Sequence, residues 1–172
     1  ENGGAVEIVN SRNLIMNNSR IFHGTSVKRG GGIYIYNDSS QPDNEITLAL
    51  TDVEINYNQS SLEGGGIYFN NANLEMSDLK ITHNNCLSDE SQKHGGGIFG
   101  FNTANVKIEN SIIHDNTAFS PSGPTSVGGG IHFEFVTATM KYVQITKNIA
   151  RDKGAGIFLK NADLHIINCT IA

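Results

Sequence analysis

One short motif recurs along this chain and constrains its fold more than any other feature. Gly-Gly-Ala-Val ends at Val6, Gly-Gly-Gly-Ile ends at Ile33, Ile67, Ile98 and Ile131, and Gly-Ala-Gly-Ile ends at Ile157. The copies are spaced by 27, 34, 31, 33 and 26 residues, so a unit of 26 residues carries insertions of variable length. Such recurrence is typical of repeat proteins, in which each unit is completed by its neighbours.

Each unit contains three short segments in which apolar residues alternate with others, which is the period of a β-strand. Each segment supplies two inward positions. In the first segment these pairs are Val6/Ile8, Ile33/Ile35, Ile67/Phe69, Ile98/Phe101, Ile131/Phe133 and Ile157/Leu159. Over all three segments only Ser19 and Ser111 are polar at inward positions, although the chain is only 38 % hydrophobic. The pattern therefore predicts three strands per unit around one core.

Equivalent positions of successive units carry similar residues, which would lie above one another if the units were stacked. This predicts an all-β fold: a right-handed parallel β-helix of about six coils with three short strands each. A leucine-rich or helical repeat is disfavoured, because no unit contains an apolar pattern with a 3.6-residue period. A β-sandwich would not place the same glycine corner before every third strand. We expect residues 1–172 to form a single β-helix segment, part of a longer solenoid or of a stacked fibre.

An Asn follows the third segment at a constant place, three residues after the inward Ile, with Gly24 in the first unit. This column is Asn58, Asn84, Asn116 and Asn148. Asn and Gly tolerate left-handed backbone angles, and stacked Asn side chains can hydrogen-bond along a column, so we predict a structural Asn ladder with this corner geometry. The glycine triplets are predicted to turn the chain where a Cβ would crowd the next coil. A phosphate-binding loop is disfavoured, because a strand rather than a helix follows each triplet.

The order Ile-x-x-Asn, a variable loop and then Gly-Gly-x-Ile resembles the repeats of the polymorphic membrane protein family of chlamydial autotransporter adhesins. That family pairs Phe-x-x-Asn with Gly-Gly-Ala-Ile. The most similar segments here are residues 113–118 followed by Gly-Gly-Gly-Ile, and residues 145–150 followed by Gly-Ala-Gly-Ile. Ile stands in place of Phe, and Gly usually in place of Ala. The resemblance covers the whole chain and implies a surface-exposed β-helical passenger with adhesive or structural duties.

Charge and residue spacing disfavour several classes of function. The net charge is -5, so the basic excess of a nucleic-acid-binding protein is missing, and no apolar run approaches the length of a membrane span. Glycoside hydrolysis needs two carboxyl groups on neighbouring coils, but the outward columns of the second and third segments hold one acid each. Asp52 and Asp78 are the best acidic pair, and we interpret them as polar corner residues. We therefore predict no catalytic residue and no enzymatic activity.

Metal and disulfide chemistry are also disfavoured. His23, His83 and His114 lie near the ends of third segments, with no Cys or acid at zinc-ligand spacing around them. Cys86 is expected in a loop and Cys169 at an inward position three coils later, too far apart for a disulfide. We predict no metal and no cofactor.

Four Asn-x-Ser/Thr sequons begin at Asn17, Asn37, Asn58 and Asn168. Asn17 and Asn168 are predicted to point outward and Asn37 to lie in the longest insertion. These three residues are the candidate N-glycosylation sites, whereas Asn58 belongs to the ladder.

One outward column is unusual. Between the two inward residues of the first segment stand Glu7, Tyr34, Tyr68, Phe99, His132 and Phe158. One interpretation is that the rings stack on one another and stiffen the solenoid. The other is that they form an exposed stripe that contacts a partner chain or sugar rings. The five rings are therefore a candidate contact stripe.

Together these features favour a non-enzymatic scaffold, extracellular or on the cell surface, that is adhesive or forms fibres. Two alternatives remain: a carbohydrate-active β-helix of the lyase or hydrolase kind with catalytic coils outside this segment, and a glycan-binding β-helix that uses the aromatic column. The expected partners are copies of the chain or adjacent coils stacked end to end, because an uncapped coil exposes unpaired backbone groups. Glycans or a host-surface protein are further candidate partners, whereas nucleic acid is not expected.

Overall fold

Each coil of the computed structural model lies against the next, and equivalent strands of neighbouring coils pair in parallel. The structure describes residues 2–11, 13–38, 46–87, 95–120 and 126–172. Ile33 pairs with Ile67, and Ile67 pairs with Ile98, in the register that the glycine motif predicts. The predicted all-β parallel β-helix is confirmed, because stacking like on like lets each coil bury the apolar residues of its neighbours.

The described residues form nineteen strands, numbered in chain order, on four faces of the solenoid. The first face contains β1 (Val6–Val9), β4 (Ile33–Tyr36), β7 (Ile67–Asn70), β17 (Ile157–Lys160) and the first parts of β11 (Ile98–Glu109) and β14 (Ile131–Lys141). The second and third faces contain the rest of β11 and β14 with β2 (Asn13–Phe22), β5 (Ile46–Asn56), β8 (Ala72–Ser77), β9 (Lys80–Thr82), β12 (Ile112–His114), β15 (Gln144–Thr146), β18 (Asp163–Ile167) and β19 (Thr170–Ile171). The fourth face contains β3 (Thr25–Ser26), β6 (Gln59–Ser60), β10 (Asn85–Leu87), β13 (Thr117–Phe119) and β16 (Ile149–Ala150).

The fourth face is a correction to the prediction of three strands per coil. Its short strands form a separate parallel sheet and present a buried column of small residues: Ser26, Ser60, Cys86 and Ala118. Strands of two or three residues contain too few positions to show an alternating pattern. Cys86 therefore lies in a strand rather than in a loop, with Sγ 3.0 Å from the carbonyl oxygen of Leu62. Cys86 and Cys169 are not joined by a disulfide.

Single residues with left-handed backbone make the corners. At the third corner they are His23, Tyr57, His83, Asp115 and Lys147, with φ between 51° and 57°. Each stands directly before Gly24 or a ladder Asn, so the prediction that the ladder Asn residues themselves provide this geometry is wrong. The residue before each Asn makes the turn, which leaves the Asn side chain directed inward for hydrogen bonding.

The second corner is built in the same way. Asp52 and Asp78 have φ values of 54° and 56°. Asp is one of the residues that tolerates this conformation, because its short side chain can bond locally. Their corner position agrees with the interpretation of this pair as structural.

The Asn ladder is confirmed as a continuous buried chain of amides. Nδ2 of Asn58 donates to Oδ1 of Asn84 at 2.9 Å, and the same bond joins Asn84 to Asn116 and Asn116 to Asn148 at 3.0 Å. Each accepting oxygen also receives the backbone N–H of the donor residue. In the first coil the N–H of Gly24 donates to Asn58 at 2.9 Å. The ladder thus satisfies backbone groups that would otherwise be buried without partners at the corner.

The glycine triplets stand where a side chain would collide with the neighbouring coil. Gly64 has a φ of 62°, and a Cβ on Gly65 would lie 2.4 Å from the carbonyl oxygen of Gly96. A Cβ on Gly66 would lie 3.1 Å from Nδ2 of the ladder residue Asn84. The predicted crowding is confirmed, and the third glycine additionally makes room for the ladder.

The first strand of the fourth coil differs from the prediction. Gly100, not Phe101, is the inward residue and pairs with Phe69 and Phe133. The rings of Phe69 and Phe133 meet edge to face at 5.9 Å, and a Cβ on Gly100 would lie 2.2 Å from Cζ of Phe69. The rings of Phe69 and Phe133, from the coils on either side, therefore fill the space that a side chain at Gly100 would occupy. Phe101 points outward and pairs with Glu134.

The buried polar exception Ser111 has a structural explanation. Its Oγ accepts the backbone N–H of Leu79 at 3.1 Å and donates to the carbonyl oxygen of Glu109 at 2.6 Å. A hydroxyl at this inward position is hydrogen-bonded in both directions, so its burial leaves no polar group unsatisfied.

Candidate functional site: an aromatic groove on the first face

Five rings form a column on the first face, in the predicted register. The centroids of Tyr34 and Tyr68 are 5.1 Å apart, and those of Tyr68 and Phe99 are 5.4 Å apart, with nearly parallel planes. His132 meets Phe99 edge to face at 5.0 Å, and Phe158 meets His132 in the same way at 4.8 Å. The interpretation that the rings stack along the solenoid is confirmed.

The column is covered by its neighbours. Tyr34, Tyr68, Phe99 and His132 are 6, 5, 3 and 1 % exposed, and Phe158 is half-buried. The four most buried rings, Tyr34, Tyr68, Phe99 and His132, therefore do not form an exposed stripe. A ligand of this face would meet ring edges and the flanking side chains, and the role of the column as a contact stripe stays a prediction.

A groove of 390 Å³ runs beside the column. Tyr34, Tyr68 and Phe99 line its floor. Tyr36 and Phe101 line it from positions two residues further along their strands, where they remain half-buried. The ring planes of Tyr34 and Tyr36 are inclined by only 7°, with centroids 6.4 Å apart. The groove is therefore bordered by aromatic edges along several coils.

Two ion pairs complete the lining of the groove. Arg29 is paired with Glu63, and its Cζ lies 5.5 Å from the ring centroid of Tyr68. Nζ of Lys160 lies 2.6 Å from Oε1 of Glu134. Each of these cations is matched by a carboxylate, so the charges of the lining cancel.

The environment holds the polar groups of the groove in definite protonation states. Burial raises the pKa of Tyr68 to about 12 and raises the pKa of Tyr34 in the same direction. Burial alone would lower the pKa of Arg29, but its hydrogen bond and attraction to Glu63 outweigh this effect and raise the pKa. At neutral pH the phenolic hydroxyls of Tyr34 and Tyr68 and the guanidinium of Arg29 can therefore all donate hydrogen bonds.

The family model for right-handed β-helix regions matches residues 2–172. The chain belongs to the right-handed β-helix family. No curated protein and no solved structure matches this right-handed β-helix. The predicted all-β, right-handed parallel β-helix is confirmed, whereas membership of the polymorphic membrane protein family stays a prediction.

A second cluster of this right-handed β-helix lies at the third corner. His23, Tyr57 and His83 stack at centroid distances of 5.8 and 4.8 Å. Oδ2 of Asp115 lies 3.7 Å from Nε2 of His83 and 2.6 Å from Nε2 of His114. The expectation that no acid lies near these histidines is therefore wrong for two of them, because Asp115 follows His114 in the chain and coil stacking places it beside His83. Across the described parts of the chain, no three His, Cys, Asp or Glu side chains are placed to hold a metal ion.

The candidate glycosylation sites of this β-helix differ in exposure. Asn17 and Asn168 are exposed, as predicted. Asn37 is only 6 % exposed, and its backbone N–H donates to the carbonyl oxygen of Asn70 at 3.1 Å. The expectation of an accessible Asn37 is therefore wrong, because this residue still belongs to the paired part of the coil. Asn58 is buried in the ladder.

Sequence reasoning identified the floor of the groove and missed its walls. Tyr36 and Phe101 follow the aromatic column by two residues, and Arg29 and Glu63 each stand directly before a glycine triplet. The constant distance of these residues from the repeat motif could therefore have indicated that they lie beside the aromatic column. In the part of the chain that the structure describes, no helix is long and apolar enough to cross a membrane.

Proposed function

We propose that this β-helix is a non-enzymatic structural and adhesive scaffold that acts outside the cell or on its surface. The observation that carries the proposal is the Asn ladder, which joins consecutive coils by buried amide hydrogen bonds from Asn58 to Asn148. A satisfied buried network of this kind makes a stack of coils rigid. Rigidity over several coils suits a rod that displays a surface at a distance from its attachment.

The outward carboxylates support the same proposal. Glu54 lies between Arg20 at 3.2 Å and Lys80 at 3.1 Å, and Glu75 lies 3.1 Å from Lys107. The hydrogen bond from Lys80 is the main reason why the pKa of Glu54 is lowered. A general acid needs a raised pKa, so Glu54 is better suited to joining coils than to proton transfer.

The groove gives the alternative of a carbohydrate-active enzyme its most specific support, because Glu63 and Glu134 both line it. Both carboxylates are engaged in ion pairs, Glu63 with Arg29 and Glu134 with Lys160. A glycosidase would need one of them protonated as the acid. We therefore favour the scaffold over the enzyme. The extracellular setting rests on the resemblance of the repeats to the polymorphic membrane protein family.

Two measurements test the scaffold. Antibodies against the chain should label intact, unpermeabilised cells of its source, and labelling only after permeabilisation would contradict the proposed location. The purified chain should release no reducing ends or unsaturated products from acidic or neutral polysaccharides. Turnover that is lost in Glu63→Gln or Glu134→Gln, and kept in the control Glu75→Gln outside the groove, would establish an enzyme instead.

A further inference from the structure

The groove on the first face combines two kinds of surface. The half-buried rings of Tyr36 and Phe101 offer apolar edges, and the floor rings stack so that their faces are already occupied by one another. Beside them stand polar groups with a fixed arrangement: Nδ2 of Asn70 lies 3.4 Å from the hydroxyl of Tyr68. A ligand here would need apolar C–H surface and several hydroxyl groups close together.

The ion pairs of the groove favour neutral ligands over acidic ones. Arg29 is engaged by Glu63 and Lys160 is engaged by Glu134, so each cation already has a carboxylate partner. An acidic ligand would have to displace one of these carboxylates, which would leave a partly buried charge unpaired. A neutral ligand can hydrogen-bond to the paired groups without separating them.

We propose that the groove is a non-catalytic binding site for a neutral oligosaccharide. Saccharides present hydroxyl groups around an apolar C–H face, which matches the mixture of aromatic edges, phenols and an amide. The volume of 390 Å³ lies near the lower end of the range of small-ligand sites, about 300 to 1,000 Å³, and so fits a short saccharide. The proposal rests on the adhesive part of the proposed function and names the class of ligand that the surface binds.

The groove takes sugar without cleaving it. Hydrolysis would need one protonated carboxyl group and a second as nucleophile or base on the opposite side of the bond. Glu63 and Glu134 are both held as ion pairs, and Glu134 is joined to a lysine from the neighbouring coil at 2.6 Å. The two carboxylates therefore position Arg29 and Lys160 as hydrogen-bond donors.

The test is an array of neutral oligosaccharides of two to six hexose units beside the matching uronic-acid oligosaccharides, probed with the purified chain. Calorimetric titration with the best neutral saccharide then measures its affinity. The groove variant is Tyr36→Asn, which introduces the residue that the next coil carries at the paired position, Asn70. The matched control is Tyr142→Asn at the second corner, where Asn110 and Asn168 already occupy the equivalent place. Circular dichroism confirms that both variants are folded.

We expect the wild type and Tyr142→Asn to bind the neutral saccharide equally, and Tyr36→Asn to bind at least tenfold more weakly. In Glu134→Gln, which releases Lys160, we expect binding of uronic-acid oligosaccharides to appear. The proposal is overturned if no neutral saccharide binds more tightly than about 1 mM, if Tyr36→Asn leaves the affinity unchanged, or if the wild type prefers the acidic series. A chain that labels on intact cells and turns over no polysaccharide, yet binds no saccharide, would overturn this site and leave the scaffold intact.

Discussion

Asn84 on the third coil is hydrogen-bonded through its side chain to Asn116 on the fourth, with Nδ2 3.0 Å from Oδ1. The same amide also donates to the carbonyl oxygen of Ile55 on the second coil at 2.8 Å. One side chain therefore connects three consecutive coils at a corner.

Replacing Asn84 by Ala should lower the free energy of unfolding by about 3 kcal/mol, because Asn58 loses its acceptor and the carbonyl group of Ile55 loses a donor in a buried setting. Chemical denaturation followed by circular dichroism measures the loss. The control Asn13→Ala, at an exposed position, should change stability by less than about 0.5 kcal/mol. Equal stabilities of the two variants would contradict a stabilising ladder.

The inward register can be tested with one substitution at two positions. Ile98 is fully buried, whereas Ile15 is 72 % exposed on the second face. Ile98→Asp should cost about 4 kcal/mol or prevent folding, since it buries a charge without a partner. Ile15→Asp should leave the melting temperature nearly unchanged. The reverse order of melting temperatures would refute the register.

Gly100 and Phe69 should behave as a coupled pair. Gly100→Ala alone should destabilise the fold by about 1 to 3 kcal/mol, because its Cβ meets the tip of the Phe69 ring. In a Phe69→Leu background the same change should cost less, since the shorter side chain leaves room. A double-mutant cycle in denaturant measures the coupling, and strict additivity would show that the contact is not limiting.

Tyr68 should ionise late in an alkaline titration. Its pKa is raised from the ordinary value of 10 to about 12, so the folded state holds the phenolic proton more tightly than the unfolded chain does. The stability due to this group is complete below pH 10 and is lost, by about 2 to 3 kcal/mol, as the pH rises through 12. Tyrosinate absorbance should lose its latest step in Tyr68→Phe and keep it in the exposed-site control Tyr142→Phe. An early-titrating Tyr68 would contradict its burial.

Exposure should decide which sequons can be modified. In a eukaryotic secretory host, mass spectrometry should find sugar at Asn17 and Asn168 but not at Asn58, whose amide is committed to the ladder. Asn37 should be unmodified in the folded protein because it is buried. Full occupancy at Asn58 would mean that its Nδ2 is not committed to the ladder, and would contradict this structure.

Much of the fold could be predicted because a stacked-coil solenoid turns repetition along the sequence into contact in space. The columns of Ile67, Ile98 and Ile131 and the ladder of Asn58 to Asn148 each place a residue against its own counterpart one coil away. For such positions the spacing of the repeat is enough to predict which residue lies in contact on the next coil.

The sequence by itself thus determined the fold class, the inward register apart from Phe101, the ladder and the ring column. The tertiary structure decided which residues of different columns meet: Arg29 lies over Tyr68 and pairs with Glu63, and Asp115 lies beside His83 and His114. Those contacts depend on the angles of the corners and on side-chain volumes in adjacent columns, which no periodicity encodes. The aromatic rings were visible in the sequence, but their burial, and the groove beside them, arise only when the coils and corners are packed together.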